Sequence, residues 1–235
     1  MIILEIIILV HIFLFVAPAF AGAFLVGGSM ESNYYVEIPK SVENLQLPDP
    51  GLLQYYQDLE NRIVWLDTEV CEDCLYLIRY ILRWNQEDKD LPVESRKPIR
   101  LLFFSPGGDL EVNNALIDTI TLSKTPVWGI NIGRSYSAAA YILLSCHKRY
   151  CLPRAQLLLH QGSGAFSGTY AEILPQVMAY QEQVEKLATF VEEKTSYTKE
   201  EIEENIVSDW YITAEEGLAK GVYCGIITDI SELLS

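Results

Sequence analysis

Between residues 62 and 146 the hydrophobic pattern switches repeatedly between the period of a strand and the period of a helix. RIVWLDTEV (62–70) reads as a strand, and CEDCLYLIRYILRW (71–84) has apolar residues at helical spacing. IRLLFF (99–104) reads as a buried strand broken by SPGG, and LEVNNALIDTITLS (110–123) is helical. PVWGINI (126–132) is a third strand and SAAAYILLSC (137–146) a third helix. Strands separated by helices come back parallel, so this alternation predicts an α/β fold with a mainly parallel sheet.

Beyond residue 146, RYCLP and AQLLLHQ read as short strands, and residues 169–195 as one long helix that Pro175 should bend. TAEEGLAKG (213–221) offers Thr213 and Glu216 as a capping box and Gly221 as the stop. Residues 31 to about 60 are polar and punctuated by proline, an arm and not a core element. The chain thus divides into an apolar leader (1–29), an N-terminal arm (30–55) and a domain (56–235).

The leader is apolar nearly throughout and long enough to span a bilayer, yet it carries Glu5 and lacks the basic start of a secretory signal. Gly27-Gly28-Ser29 before Met30 can be encoded by a ribosome-binding sequence. The first reading is therefore a wrongly chosen start, the second a membrane anchor and the third a cleaved signal. On the first and third, residues 1–29 are absent from the working protein.

A net charge of −15 argues against a nucleic-acid partner, which would need clustered Lys and Arg. Five cysteines cannot all pair within the chain, and they lie in apolar or helical patterns, which points to reduced thiols and a cytoplasmic setting. The lone CxxC at Cys71 and Cys74 has no second pair at zinc-ligand spacing.

In a parallel α/β fold, sites form where strands end and helices begin. FFSPGGDL and NIGRSYSAAA both occupy such turns. The two glycines of SPGG permit a tight turn that leaves backbone N–H groups uncovered, as an oxyanion hole requires. Of the two nearby serines, Ser135 fits the turn, whereas Ser137 opens a helix, where free N–H groups favour developing negative charge. For Ser137 taken alone, helix capping is the reading to prefer, and Ala138, Ala139 and Ala140 leave room for a substrate backbone. A nucleophilic serine also needs a base and an orienting carboxylate. The three histidines are His11 in the leader, His147 in a basic turn and His160 at a strand end. After His160 the aspartates are Asp209 and Asp229.

SPGG, IGRSYSAAAYILL, LPRAQLLLHQGSGAFSG and WYITAEEGLAKGVYCGII, in that order, resemble the proteolytic subunits of Clp proteases (ClpP) from about residue 56 to 230. The resemblance implies the ClpP/crotonase fold, with repeated β-β-α units, a mainly parallel sheet and a protruding handle helix. It implies Ser137 as nucleophile, His160 as base, Asp209 as the orienting carboxylate, and the N–H groups of Gly108 and Ala138 as oxyanion donors. It also implies that GSGAFSGT (162–169) is a strand of the handle beside the substrate groove. The implied activity is serine endopeptidase cleavage of unfolded polypeptides inside two stacked heptameric rings of identical subunits. An AAA+ unfoldase of the Clp type would feed them. The chain carries no nucleotide motif, so no cofactor is expected in it and ATP belongs to the partner.

Four departures stand beside the resemblance. Ala138 and Ala139 occupy positions that are usually methionine and glycine. Val207 and Ser208 stand where an acid and an arginine often pair between rings, which implies a weaker or differently built ring contact. Arg100 replaces an aromatic residue common at the surface that receives the unfoldase. Pro175 falls in the handle. Alternative readings are a structural subunit that assembles without cutting, a membrane-anchored signal-peptide-peptidase-like protease, and a crotonase-type acyl-CoA enzyme. The last two fit less well, because the chain offers Ser137, His160 and Asp209 and no clear serine–lysine motif.

Overall fold

The computed structural model describes residues 49–233. The apolar leader and most of the arm lie outside these residues, as do His11 and the three readings of the leader. The described part of the arm holds an unforeseen helix, α1 (Pro50–Glu60). Asp49 caps it by accepting from the Gly51 N–H at 2.7 Å, and a proline at its first position suits helix initiation. None of its residues is buried, so it adds little to the core.

The sheet is built on β1 (Ile63–Leu66), β2 (Ile99–Ser105) and β3 (Val127–Tyr136), all parallel. Helix α2 (Tyr76–Glu87) connects the first two strands and α3 (Leu110–Leu122) the next two. Helix α4 (Ala138–Ser145) then leads to β4 (Lys148–Cys151), and β5 (Gln156–Leu159) follows. The α/β class with a mainly parallel sheet is as the alternation requires.

Strand β3 runs four residues past the expected 126–132 because it changes partner along its length. Its first half pairs with β4 through Trp128↔Lys148 to Asn131↔Cys151. Its last residues pair with β5 through Arg134↔Gln156 to Tyr136↔Leu158. Buried Asn131 sits at the handover. Its Nδ2 donates to the Gln156 carbonyl and the Tyr223 hydroxyl, each at 2.9 Å, and its Oδ1 accepts from the Gly133 N–H. A buried amide with each end engaged fixes the branch without an unsatisfied polar group.

All eight residues of α4 are buried, which is why its sequence is apolar on every side. Each fully buried leucine or isoleucine there contributes about 1.5–3 kcal/mol. Ala138, Ala139 and Ala140 are part of that core and pack inward.

The long pattern at 169–195 is one helix, α5 (Tyr170–Lys194), running through Pro175. Thr169 and Glu172 form its capping box. Only Leu187 and Val191, near its C-terminal end, are buried; Leu174, Val177 and Met178 are exposed. Residues 161–169 before it carry no strand, contrary to the resemblance, since no ladder forms along them among the described residues. Helix α6 (Lys199–Asn205), β6 (Trp210–Ile212), α7 (Ala214–Ala219) and β7 (Gly225–Ile226) complete the fold. Thr213 caps α7 as expected, accepting from the Glu216 N–H at 3.2 Å. The return half of that box is absent, because the Glu216 carboxylate accepts from the Tyr197 hydroxyl at 2.8 Å.

Two charged residues brace the first strands. Arg62 donates to both carboxylate oxygens of Asp88 at 2.6 and 2.7 Å, with side chains 13% and 5% exposed. The Arg62 guanidinium, helped by Thr125, holds the Asp88 carboxyl below the usual carboxylate range against the opposing effect of burial. Arg100 on β2 is 5% exposed, a charged residue buried within the sheet.

Candidate active site

Ser137 joins β3 to α4 with φ 53° and ψ −126°. Positive φ in a residue with a Cβ costs on the order of 1–3 kcal/mol and persists only where the surroundings impose it. Here the Ser137 N–H is held by the Leu158 carbonyl at 2.9 Å, and the Tyr136↔Leu158 pairing fixes the strand just before it. Its hydroxyl makes no helix-capping bond. It instead meets His160 Nε2 at 2.7 Å. The capping explanation of this serine is therefore set aside by geometry.

Strand register brings the third group into place. β5 and β6 pair antiparallel through Leu157↔Ile212, Leu158↔Tyr211 and Leu159↔Trp210. The next step along that ladder sets His160 opposite Asp209. The Asp209 carboxylate lies 3.7 Å from His160 Nδ1 and its side chain is 60% exposed. That distance exceeds a hydrogen bond. Ser137, His160 and Asp209 are thus brought together in order, tightly at the first contact and loosely at the second.

The SPGG turn faces the same point. Gly107 has φ 92° and Gly108 φ 150°, conformations that favour glycine. A Cβ on Gly107 would stand 2.7 Å from the Ser137 Cβ and 2.9 Å from the Ala138 nitrogen, so the turn packs directly on the serine. Val70 clamps the turn from outside: its N–H donates to the Gly107 carbonyl and its carbonyl accepts from the Asp109 N–H, both at 2.8 Å. In such a parallel bridge the Gly108 N–H, between the two bonds, points away from Val70. The Ala138 N–H opens α4 and has no acceptor within the helix.

A cleft of about 280 Å³ lies over this arrangement. Gly107, Gly108, Ser137 and His160 line it, together with the apolar or aromatic side chains of Leu110, Tyr141, Val184 and Leu187. Glu69, Gly162, Ser163 and Tyr180 also border it. Burial pushes the Tyr141 phenol well above its usual range, so it stays neutral near pH 7. Gly162, with φ 83°, lets the chain pass close to the Tyr180 hydroxyl. Sequence reasoning missed Glu69, Val70, Tyr141 and Tyr180. Tyr141 could have been found, since it stands four residues after Ser137 on the helix that follows. Glu69 and Val70 carry no local signal, because a strand-to-helix connection far back in the chain delivers them.

The remaining candidates lie elsewhere. Ser135 is buried within β3. His147 Nδ1 accepts from the Val127 N–H at 3.0 Å, and burial lowers its pKa, so it is a neutral structural histidine. Asp229 lies in an exposed C-terminal turn bonded to Ser231. No group of three His, Cys, Asp or Glu residues suited to hold a metal ion occurs among the described residues. No helix among them is long and apolar enough to cross a membrane.

Comparison with known proteins gives a family. The model of the Clp protease family matches residues 52–230. One relative, the ATP-dependent Clp protease proteolytic subunit 3 of Rhizobium meliloti (strain 1021), is 34% identical over 145 residues. That alignment covers 61% of this chain and 74% of the relative.

Proposed function

Because the chain belongs to the Clp protease family, we propose that it is a serine endopeptidase subunit with Ser137 as nucleophile, His160 as base and Asp209 as orienting carboxylate. The observation that carries this reading is the 2.7 Å contact between Ser137 Oγ and His160 Nε2, made by a positive-φ serine at the floor of a cleft. With Nδ1–H turned toward Asp209, Nε2 is the acceptor and takes the serine proton as Oγ attacks a peptide carbonyl. The tetrahedral oxyanion forms beside the Gly108 and Ala138 N–H groups, which need no reorganisation to receive it. His160 then returns the proton to the leaving amine, and water activated by the same base releases the acyl-enzyme. The apolar lining of the cleft, with Leu110, Tyr141, Val184 and Leu187, suits an apolar side chain next to the cleaved bond.

We further propose that the chain works in a chamber of stacked heptameric rings, in the cytoplasm, fed with unfolded polypeptide by an ATP-driven unfoldase, a reading that the match to the Clp protease family supports. The exposed Leu174, Val177 and Met178 on one stretch of α5 support burial of that helix against another subunit. A fluorophosphonate probe tests the chemistry directly. The full chain should be labelled on Ser137, and Ser137→Ala should not be labelled. Labelling on Ser135, or equal labelling of the variant, would end the reading.

A second reading, a subunit that assembles without cutting, draws on the 3.7 Å gap at Asp209. An assembled particle that takes no probe would favour it.

A further inference from the structure

The CxxC motif has no part in the hydrolysis above, yet it adjoins the clamp on the oxyanion turn. Cys71 directly follows Val70, whose backbone holds Gly107 and Asp109 by two bonds of 2.8 Å. The Cys74 N–H donates to the Cys71 carbonyl at 2.8 Å and closes a turn between them. Such a turn keeps its end Cα atoms within about 7 Å, and a disulfide spans about 4.4–6.8 Å. The Cys74 thiol donates to the Glu69 carbonyl at 3.4 Å. Cys71 is partly exposed and Cys74 buried, which supplies an attacking thiol and a resolving one. Without a third ligand among the described residues, the pair is unsuited to zinc.

We propose that Cys71 and Cys74 form a reversible disulfide that slows acylation of Ser137 by loosening the Val70 clamp on Gly108. The inference rests on Ser137 being the nucleophile. The oxidant is a low-molecular-weight disulfide such as glutathione disulfide. The Cys71 thiolate attacks one of its sulfurs and expels one glutathione thiolate, giving a mixed disulfide. Cys74, deprotonated, then attacks the Cys71 sulfur and expels the second glutathione. One dithiol and one glutathione disulfide become one protein disulfide and two glutathiones, with two electrons passing to glutathione.

The consequence for the site follows from the lost thiol proton. A disulfide has no S–H, so the Glu69 carbonyl loses its donor while the Cys71 side chain is pulled toward Cys74. Both changes bear on residues 69 and 71, which flank Val70. A shift there misplaces the Gly108 N–H, and a mispositioned oxyanion donor lowers the rate without removing the nucleophile.

The test compares the full chain after glutathione disulfide with the chain after dithiothreitol. Trypsin should release residues 63–79, which contain both cysteines, lighter by two hydrogens and resistant to iodoacetamide after oxidation. Fluorophosphonate labelling of Ser137 should slow by about tenfold, and hydrogen exchange over residues 105–110 should quicken. Dithiothreitol should reverse all three effects, and Cys71→Ser, which changes the more exposed thiol, should abolish them. A peptide that stays dithiol, or a disulfide that leaves both labelling and exchange unchanged, overturns the proposal. So does equal slowing in Cys71→Ser. A reduced chain that never labels at Ser137 defeats the peptidase reading instead, while the peptide mass and the exchange still report on the disulfide and the clamp.

Discussion

The two contacts of His160 differ in kind. On one side, Ser137 is set by the central strand β3, by the wholly buried helix α4 and by a bond to the Leu158 carbonyl, and it lies 2.7 Å from the ring. On the other side, Asp209 precedes the three-residue strand β6, which among the described residues pairs only with β5, and it stays largely exposed at 3.7 Å. The first contact is a product of the core, where close packing leaves one arrangement. The second belongs to a short edge element, where little burial restrains the side chain. In this chain the proposed nucleophile is held in place, and the carboxylate proposed to orient His160 is not.

The largest effect should come from the core side. Ser137→Ala should lose at least about a thousandfold in peptide hydrolysis, as removal of a triad serine does. Unchanged turnover would break the comparison at its root. Asp209→Asn should cost about tenfold, well short of the ~10⁴-fold loss at a buried orienting aspartate. A loss as large as that of Ser137→Ala would mean that the working assembly draws Asp209 to bonding distance.

The assembly itself gives the next and smaller effect. Val207 and Ser208, just before Asp209, are exposed and cannot form an acid–arginine pair. Specific activity should therefore fall severalfold on dilution as native mass spectrometry records single rings replacing stacked ones. A fourteen-subunit particle with constant specific activity at high dilution would refute this.

The smallest effect on turnover should come from Asp88, remote from the cleft. Asp88→Asn should leave kcat unchanged and cost about 3 kcal/mol of stability, as breaking a buried ion pair does, measured by denaturant unfolding. The pH dependence follows from the depressed Asp88 pKa. Its stabilisation is complete above the unfolded-state pKa, about 3.9, and is lost as pH falls through the lower folded value. The stabilities of the two proteins should therefore converge as the solution becomes strongly acidic. A gap that widened with acid would contradict the pair's role.

Local pattern carried the elements well where period and length agreed. Helix α3 and strand β2 end within a residue of their sequence limits, because each has a clear period and a clear stop. Strand β3 was read too short, since the GRSY stretch looks like a turn and becomes a strand only by pairing with β5. Helix α1 was missed because its proline signals a loop and initiates a helix equally well. The three alanines after Ser137 leave room for a substrate backbone, and small size is also what burial in the core needs, so residue type alone does not separate the two.

The sequence by itself determined the alternation, the parallel sheet and the identity of the candidate triad, since these depend on period, on turn chemistry and on motifs read in order. Only the tertiary structure decided that Ser137 takes a positive φ and leaves its capping role, that His160 and Asp209 face each other across an antiparallel step, and that Val70 holds the SPGG turn. The reason is range. Period and capping act within a few residues, whereas register between strands fifty residues apart is set by which faces the core can bury, and no local pattern encodes that choice.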